Sequence, residues 1–251
     1  MPKTSESIQP GKTTSILVVG DSGTRKTRFA AGCPKPYVFD FDNGMLSTRD
    51  IPGVEFDTFR DAPRGTTVTA SMKAAGIFDY GKSWPEFVKR VNEISLQMDK
   101  GTCPYQTLVI DSLTLMAESA MNHVLVAAGR TAPEQRDWGA FLGYMRTVIG
   151  QLTSWPILLV LTAHIKRDEN DLTKQIEKLP LVSGQFSGMV SVFFDEVYYT
   201  EVKPDGRATF VTKATPNIRQ AKSRLNVPDG IEASWTALAP YMQGSLTGVK
   251  P

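Results

Sequence analysis

A chain of 251 residues that is 41% hydrophobic can bury one large core, and its 28 basic and 26 acidic side chains leave a formal charge of only +2. That balance excludes a global electrostatic pull toward nucleic acid, so any such affinity has to come from local patches. Cys33, Cys103, His123 and His164 lack the spacing of a zinc site or the density of a disulfide scaffold, no apolar run has membrane-span length, and no secretory leader is evident; the expectation is a soluble protein of a reducing cytoplasm.

Residues 1–14 are polar and read as a loose arm. A first strand is predicted over Ser15–Val19, and it runs into Gly20, Asp21, Ser22, Gly23, Thr24, Arg25, Lys26 and Thr27. This is the outline of a phosphate-binding loop, G-x-x-x-x-G-K-[ST]. In such a loop the backbone N–H groups curl around the β-phosphate of ATP, the lysine reaches the β- and γ-phosphates, and the hydroxyl residue holds Mg²⁺. The helix expected from about Lys26 to Ala31 adds the field of its positive end. One position departs from the pattern: Arg25 stands where glycine is usual. A side chain there either crowds the phosphates or forces a less favourable backbone angle, and it can also point outward to DNA, a neighbouring subunit or the γ-phosphate.

A second strand follows over Tyr37–Phe41, with Asp40 and Asp42 at its exit and Asn43-Gly44 as a sharp turn. Val54–Phe59 reads as a short strand, and Arg60–Gly81, rich in Pro, Gly and Thr, as a surface excursion. Ser83 with Glu86 has the form of a capping box opening a helix over Trp84–Asp99, whose Phe87, Val91, Ile94 and Met98 recur at helical spacing. Tyr105–Ile110 is predicted as a strand whose run TLVI is uninterrupted rather than alternating, as expected of a parallel strand covered on both faces, and it ends in Asp111. Helices over Leu115–Ala128 and Glu134–Leu152 precede a strand at Ile157–Thr162, which exits at Ala163-His164. Lys166–Lys178, with four basic and four acidic residues, reads as a solvated, part-helical loop. A helix beginning in Ser187–Phe194 and a hairpin of Asp195–Glu201 with Ala208–Lys213, turned at Pro204-Asp205-Gly206, complete the predicted elements. From Lys203 to Arg224 there are six basic residues to one acidic, the strongest local charge in the chain. Residues 229–251 read as a tail with one apolar stretch, Trp235–Leu238.

The exits of parallel strands share one rim, so Asp111 can complete the Mg²⁺ shell begun by Thr27; an N-cap for the next helix is the alternative at Asp111 and Ser112. Hydrolysis also needs a carboxylate that orients water opposite the leaving diphosphate. Asp42 is the candidate, with Asp40 one residue deeper as a brace. His164 can sense the γ-phosphate, with Thr162 able to share the role, or be purely structural, and basic residues in Lys213–Arg224 can reach a neighbouring subunit's nucleotide or grip DNA phosphates.

Taken in order, GDSGTRKT, VFDFDNG, TLVIDSLT, LLVLTAH and KATPNIRQAKSR resemble the phage-encoded RecA-like ATPases, small nucleotide-binding recombination and single-strand annealing proteins, over about residues 15–228. The resemblance implies an α/β RecA-like P-loop core, its mainly parallel central sheet flanked by helices and ending in a C-terminal β-hairpin. It also implies ATP and Mg²⁺ as cofactors, a homo-oligomeric ring or filament, and single-stranded DNA as partner. Lys26 and Thr27 fall on the Walker A residues, Asp111 on the Walker B acid, Asp42 at the catalytic glutamate position and His164 at the sensor. Gly129–Asp137 and Ile165–Gly188 correspond to DNA-facing loops, which makes Arg130, Lys166, Arg167 and Lys174 DNA or trans-subunit candidates beside Lys213 and Arg219; Lys222 and Arg224 match a basic motif. The implied function is ATP-dependent annealing or strand exchange. Because Arg25 and the shorter Asp42 depart from the pattern, a nucleotide-binding adaptor that hydrolyses little and recruits replication or recombination proteins is the alternative. A small-molecule kinase, with its substrate held by residues 60–81, is a third.

Overall fold

The computed structural model describes residues 14–169 and 174–242. All of the expected N-terminal arm except Thr14, and the last part of the tail, lie outside these residues. In chain order the elements are β1 (Ser15–Gly20), α1 (Lys26–Ala31), β2 (Pro36–Asp40), β3 (Glu55–Thr58), β4 (Arg60–Asp61), α2 (Ala70–Ala74), β5 (Ile77–Phe78), α3 (Ser83–Asp99), β6 (Thr107–Asp111) and α4 (Leu113–Ala127). They continue with α5 (Gln135–Thr153), β7 (Leu158–Ala163), β8 (Ile165–Glu169), β9 (Ile176–Pro180), α6 (Phe186–Met189), β10 (Glu196–Val202), β11 (Ala208–Val211), β12 (Lys222–Ser223) and α7 (Trp235–Leu238).

The main sheet runs β11-β10-β1-β7-β6-β2-β3, with β12 also on β10. From β10 to β3 every pairing is parallel, and only β11 and β12 add antiparallel. This is the mixed α/β architecture expected of a RecA-like P-loop core, C-terminal hairpin included. Successive side chains of a strand point to opposite faces, which explains why β1, β6 and β7 carry unbroken apolar runs. Leu17, Val19, Leu108, Ile110, Leu159 and Leu161 meet α3, α4 and α5 on one face. Ile16, Val18, Val109, Leu158 and Val160 meet Phe29 of α1 and Leu238 of α7 on the other. Each such side chain contributes about 1.5–3 kcal/mol by leaving water. The described part of the expected tail is thus seated on the second core, where Ala233, Leu238 and Met242 are buried.

Three local expectations are corrected. Ser83 does not cap α3; it is the first helical residue, preceded by Lys82 as N-cap. Its buried hydroxyl shares a hydrogen bond with Ser119 at 2.6 Å, and the Asp61 carboxylate, from β4, accepts its N–H at 2.9 Å. The excursion at 60–81 is organised, because β4 and β5 pair in parallel and α2 lies between them. Among the described residues, the charged segment after His164 is strand rather than part-helical loop: β8 and β9 pair antiparallel with Ile165 opposite Pro180 and Glu169 opposite Ile176. No described helix is long and apolar enough to cross a membrane.

Candidate nucleotide site

The loop between β1 and α1 opens on Gly20, where only a hydrogen fits. An added Cβ would lie 2.5 Å from Thr24 Oγ1 and closer still to Thr200 Oγ1. Those two hydroxyls share a buried hydrogen bond of 2.6 Å that clips the loop to β10. Thr24 also donates to the Asp21 carbonyl at 2.8 Å, and Gly23 has a φ of 79°. At Arg25 the backbone takes the less favourable angle raised by its position, the left-handed region at φ 66° and ψ 19°, and its side chain is exposed. A residue with a Cβ meets a cost of about 1–2 kcal/mol in that region, so the departure from glycine strains the backbone.

Lys26 is buried, and its Nζ donates to the carbonyls of Gly20 at 3.0 Å and Asp21 at 2.9 Å. Burial pushes its ammonium below the ordinary value, while the charges of Asp111, Asp42 and Asp21 oppose that shift. Thr27, the next residue of α1, donates its hydroxyl to Asp111 Oδ2 at 2.8 Å. The other oxygen of Asp111 accepts a short hydrogen bond from Thr162 at the end of β7. Asp111 is buried at the tip of β6, and burial, helped by the charge of Asp42, drives its carboxyl upward despite the two hydroxyl donors.

The two acids at the exit of β2 differ. Asp40 is buried and turned inward, accepting the Gly44 N–H at 3.1 Å and the Thr58 hydroxyl at 3.2 Å, so it shapes the turn; burial raises its carboxyl. That turn brings Gly44 against Asp111 and Thr27, since a Cβ there would lie 3.3 Å from Asp111 Oδ2 and 3.6 Å from Thr27 Oγ1. Asp42 faces the cleft. Its Oδ1 accepts from Ser112 at 2.6 Å, and its Oδ2 lies 2.9 Å from His164 Nε2. Burial pulls its carboxyl upward, but the hydrogen bonds of His164 and Ser112, with the charges of His164 and Lys26, outweigh it and hold Asp42 below the ordinary value. His164 is fixed in turn by its backbone N–H, donated to Thr114 Oγ1 at 3.0 Å. Residues 22–28, Asp42, Gly44, Ser47, Leu115 and His164 line one cleft of about 490 Å³.

The basic candidates are not gathered into a comparable site. Arg130 is committed to α5: Nη2 and Nε hold the Asp137 carboxylate at 2.6 and 3.0 Å, and Nη1 reaches Glu134 at 3.2 Å. Arg167 reaches back to the phosphate loop, donating to Asp21 at 2.6 Å, and Arg224 pairs with Asp195 at 2.6 Å. Lys166 pairs with Asp168 at 2.7 Å and Lys174 with Glu169 at 3.4 Å. Lys222 is half-buried in β12, its ammonium lowered by burial and by the charge of Arg224. Lys213 and Arg219 are exposed and make no ion pair among the described residues.

A family model described as an AAA domain matches residues 12–225. The chain belongs to the AAA domain family. As an AAA domain it is an ATP-binding P-loop NTPase, and the loop, the acids and the sheet rim described above lie within the matched span. A solved structure with a similar outline is the KaiC-like protein PH0186 from the hyperthermophilic archaeon Pyrococcus horikoshii OT3, 14% identical over 82% of this chain and 80% of that one, with a TM-score of 0.39. That score is too low to carry any inference about this AAA domain. No curated protein matches its sequence.

Thr24–Thr200, Ser112–Asp42 and Thr114–His164 are the parts of the site that sequence reading did not supply. Each joins residues distant in the chain or a hydroxyl with no motif of its own. Thr162, a candidate from its place at the strand exit, is brought instead to the Asp111 carboxylate.

Proposed function

We propose that this AAA domain is a Mg²⁺-dependent ATPase in which Asp42 is the general base. The observation that carries the reading is convergence: Lys26, Thr27, Asp111 and Asp42 come from three separate elements to one rim, with Lys26, Thr27 and Asp42 lining a single cleft. The oxygen-only pair of Thr27 and Asp111 suits a hard cation, and these two residues would hold Mg²⁺. Bound there, Mg²⁺ supplies positive charge to phosphate oxygens. Lys26 leaves its carbonyl partners for the β- and γ-phosphates, which are stronger acceptors. Asp42, ionised through the neutral range, takes the proton of the attacking water, and His164 with Ser112 fixes the carboxylate's orientation.

The finer reading follows the resemblance noted in the sequence. ATP favours a homo-oligomeric ring or filament that binds single-stranded DNA through exposed cations such as Lys213 and Arg219, promoting annealing or strand exchange in phage recombination within the host cytoplasm. Residues 15–228 form the ATPase unit, braced by the segment that follows. The strain at Arg25 favours a second reading, a slow ATPase that acts chiefly as a nucleotide-dependent adaptor for replication or recombination proteins.

Phosphate release with and without single-stranded DNA tests both. Lys26→Ala is expected to reduce turnover by about 10²-fold or more, and Arg25→Gly to raise it severalfold by relieving the backbone. DNA stimulation supports the recombination reading. Turnover in neither the absence nor the presence of DNA, together with intact ATP binding, supports the adaptor.

A further inference from the structure

Asp21 places a carboxylate on the segment whose backbone must face a polyanion, where like charges a few ångströms apart repel. Its counter-charge comes from outside the loop. Arg167 on β8 donates Nη2 to Asp21 Oδ2 at 2.6 Å. β8 starts one residue beyond His164, the residue that holds Asp42, so hairpin and proposed base share one stretch of backbone. The hairpin's position is defined at its base by Leu181 N–H on the His164 carbonyl at 2.8 Å, and by the Tyr199 hydroxyl on the Lys178 carbonyl at 3.2 Å. Along β8, side chains alternate. Lys166 and Asp168 pair with each other at 2.7 Å, leaving Arg167 directed at the loop. Asp21 therefore holds two cations, Arg167 on its carboxylate and Lys26 on its carbonyl at 2.9 Å.

We propose that Arg167 is a nucleotide-binding residue supplied by the chain's own β8–β9 hairpin, and that Asp21 is the internal competitor a bound triphosphate displaces. The inference rests on the ATP-binding reading above. The guanidinium fork takes phosphate oxygens in two parallel hydrogen bonds, and a triphosphate outbids a single half-exposed carboxylate for it. Arg167 then serves the nucleotide in its own subunit rather than DNA, and the hairpin follows the nucleotide.

Equilibrium binding of a fluorescent ATP analogue to the full chain tests this, with Lys26→Ala as the control for the loop. Arg167→Ala is expected to weaken binding about tenfold, the loss of one charge-assisted contact. Asp21→Asn is expected to tighten it about threefold by removing the competitor, and the double variant to lie between the two single variants, because the Asp21 charge no longer repels the phosphates. Arg167→Gln replaces the alanine variant if its melting temperature falls. Should Asp21→Asn and Arg167→Ala shift affinity in the same direction, or not at all, while the wild type binds in a Lys26-dependent manner, the pair is only a staple and the proposal is wrong. Absence of Lys26-dependent binding in the wild type removes the ATP reading itself and this inference with it.

Discussion

At the exits of β1, β2, β6 and β7, polar side chains answer partners from remote parts of the chain: Asp111 takes Thr27 and Thr162, and Asp42 takes Ser112 and His164. Around β10, β11 and β12 the cations either meet a nearby acid, as Arg224 meets Asp195, or stand in solvent, as Lys213 and Arg219 do. The first region is preorganised, with orientations fixed by the fold and interactions strengthened by burial. The second is an electrostatic surface, screened by salt and adaptable in geometry. Bond-making chemistry needs the former, and contact with a flexible polyanion needs only the latter.

The contrast is broken most severely at Asp42. Asp42→Asn keeps the size and one acceptor oxygen but cannot take a proton. Turnover is expected to fall about 10²–10⁴-fold while ATP affinity moves by less than about threefold. Steady-state phosphate release beside analogue binding reads both. Because Asp42 is held below the ordinary carboxylate value, wild-type turnover should lose its base only at acidic pH beneath that value. An asparagine variant with undiminished turnover would dismiss Asp42 as base and leave the rim without one.

Asp111 sharpens the same contrast through stability. Burial raises its carboxyl, so the folded state binds this proton more tightly than the unfolded chain does. Its favourable contribution is therefore complete at low pH and is lost as pH rises through the folded-state value. Asp111→Asn, which has no charge to bury, should stabilise the protein near neutral pH by about 1 kcal/mol, roughly 2–4 °C in melting temperature. The gain should shrink toward zero as pH falls below the ordinary carboxylate value, and the same variant should lose ATPase activity. Thermal melts across pH check the sign. A variant less stable at every pH would mean that the hydrogen bonds from Thr27 and Thr162 outweigh the cost of the buried charge.

The frame of this site was legible because its signals are local. TLVI and LLVLT are apolar without interruption, and the phosphate loop is a contiguous string. What escaped is set by long-range contact. Ser83-Trp84-Pro85-Glu86 has every residue of a capping box, yet Asp61, 22 positions earlier, supplies the acceptor and frees Ser83 to enter the helix. Glu134, not a favoured cap, opens α5 because Asp137 accepts its N–H at 2.8 Å and is itself clamped by Arg130. The strands of the β8–β9 hairpin were hidden because charged residues on both faces erase the period-2 apolar signal. The link of His164 to Asp42, 122 positions apart, has no sequence signature at all.

The smallest expected effects lie in the second region, and they separate exposed cations from engaged ones. If single-stranded DNA binds through Lys213 and Arg219, replacing either with alanine should lower the salt slope of binding by about one, weaken binding uniformly across sequences, and leave the melting temperature unchanged. Arg130→Ala should do the reverse, because its guanidinium is held by Asp137 and Glu134 and helps to start α5. Its melting temperature should drop while the salt slope stays that of the wild type. DNA titrations at several salt concentrations, with melts of the same three variants, provide the measurement. A reduced slope for Arg130→Ala would mean that DNA draws this arginine away from Asp137, so that the ion pair of the expected DNA-facing loop exchanges its partner for phosphate as the exposed Lys213 and Arg219 exchange water.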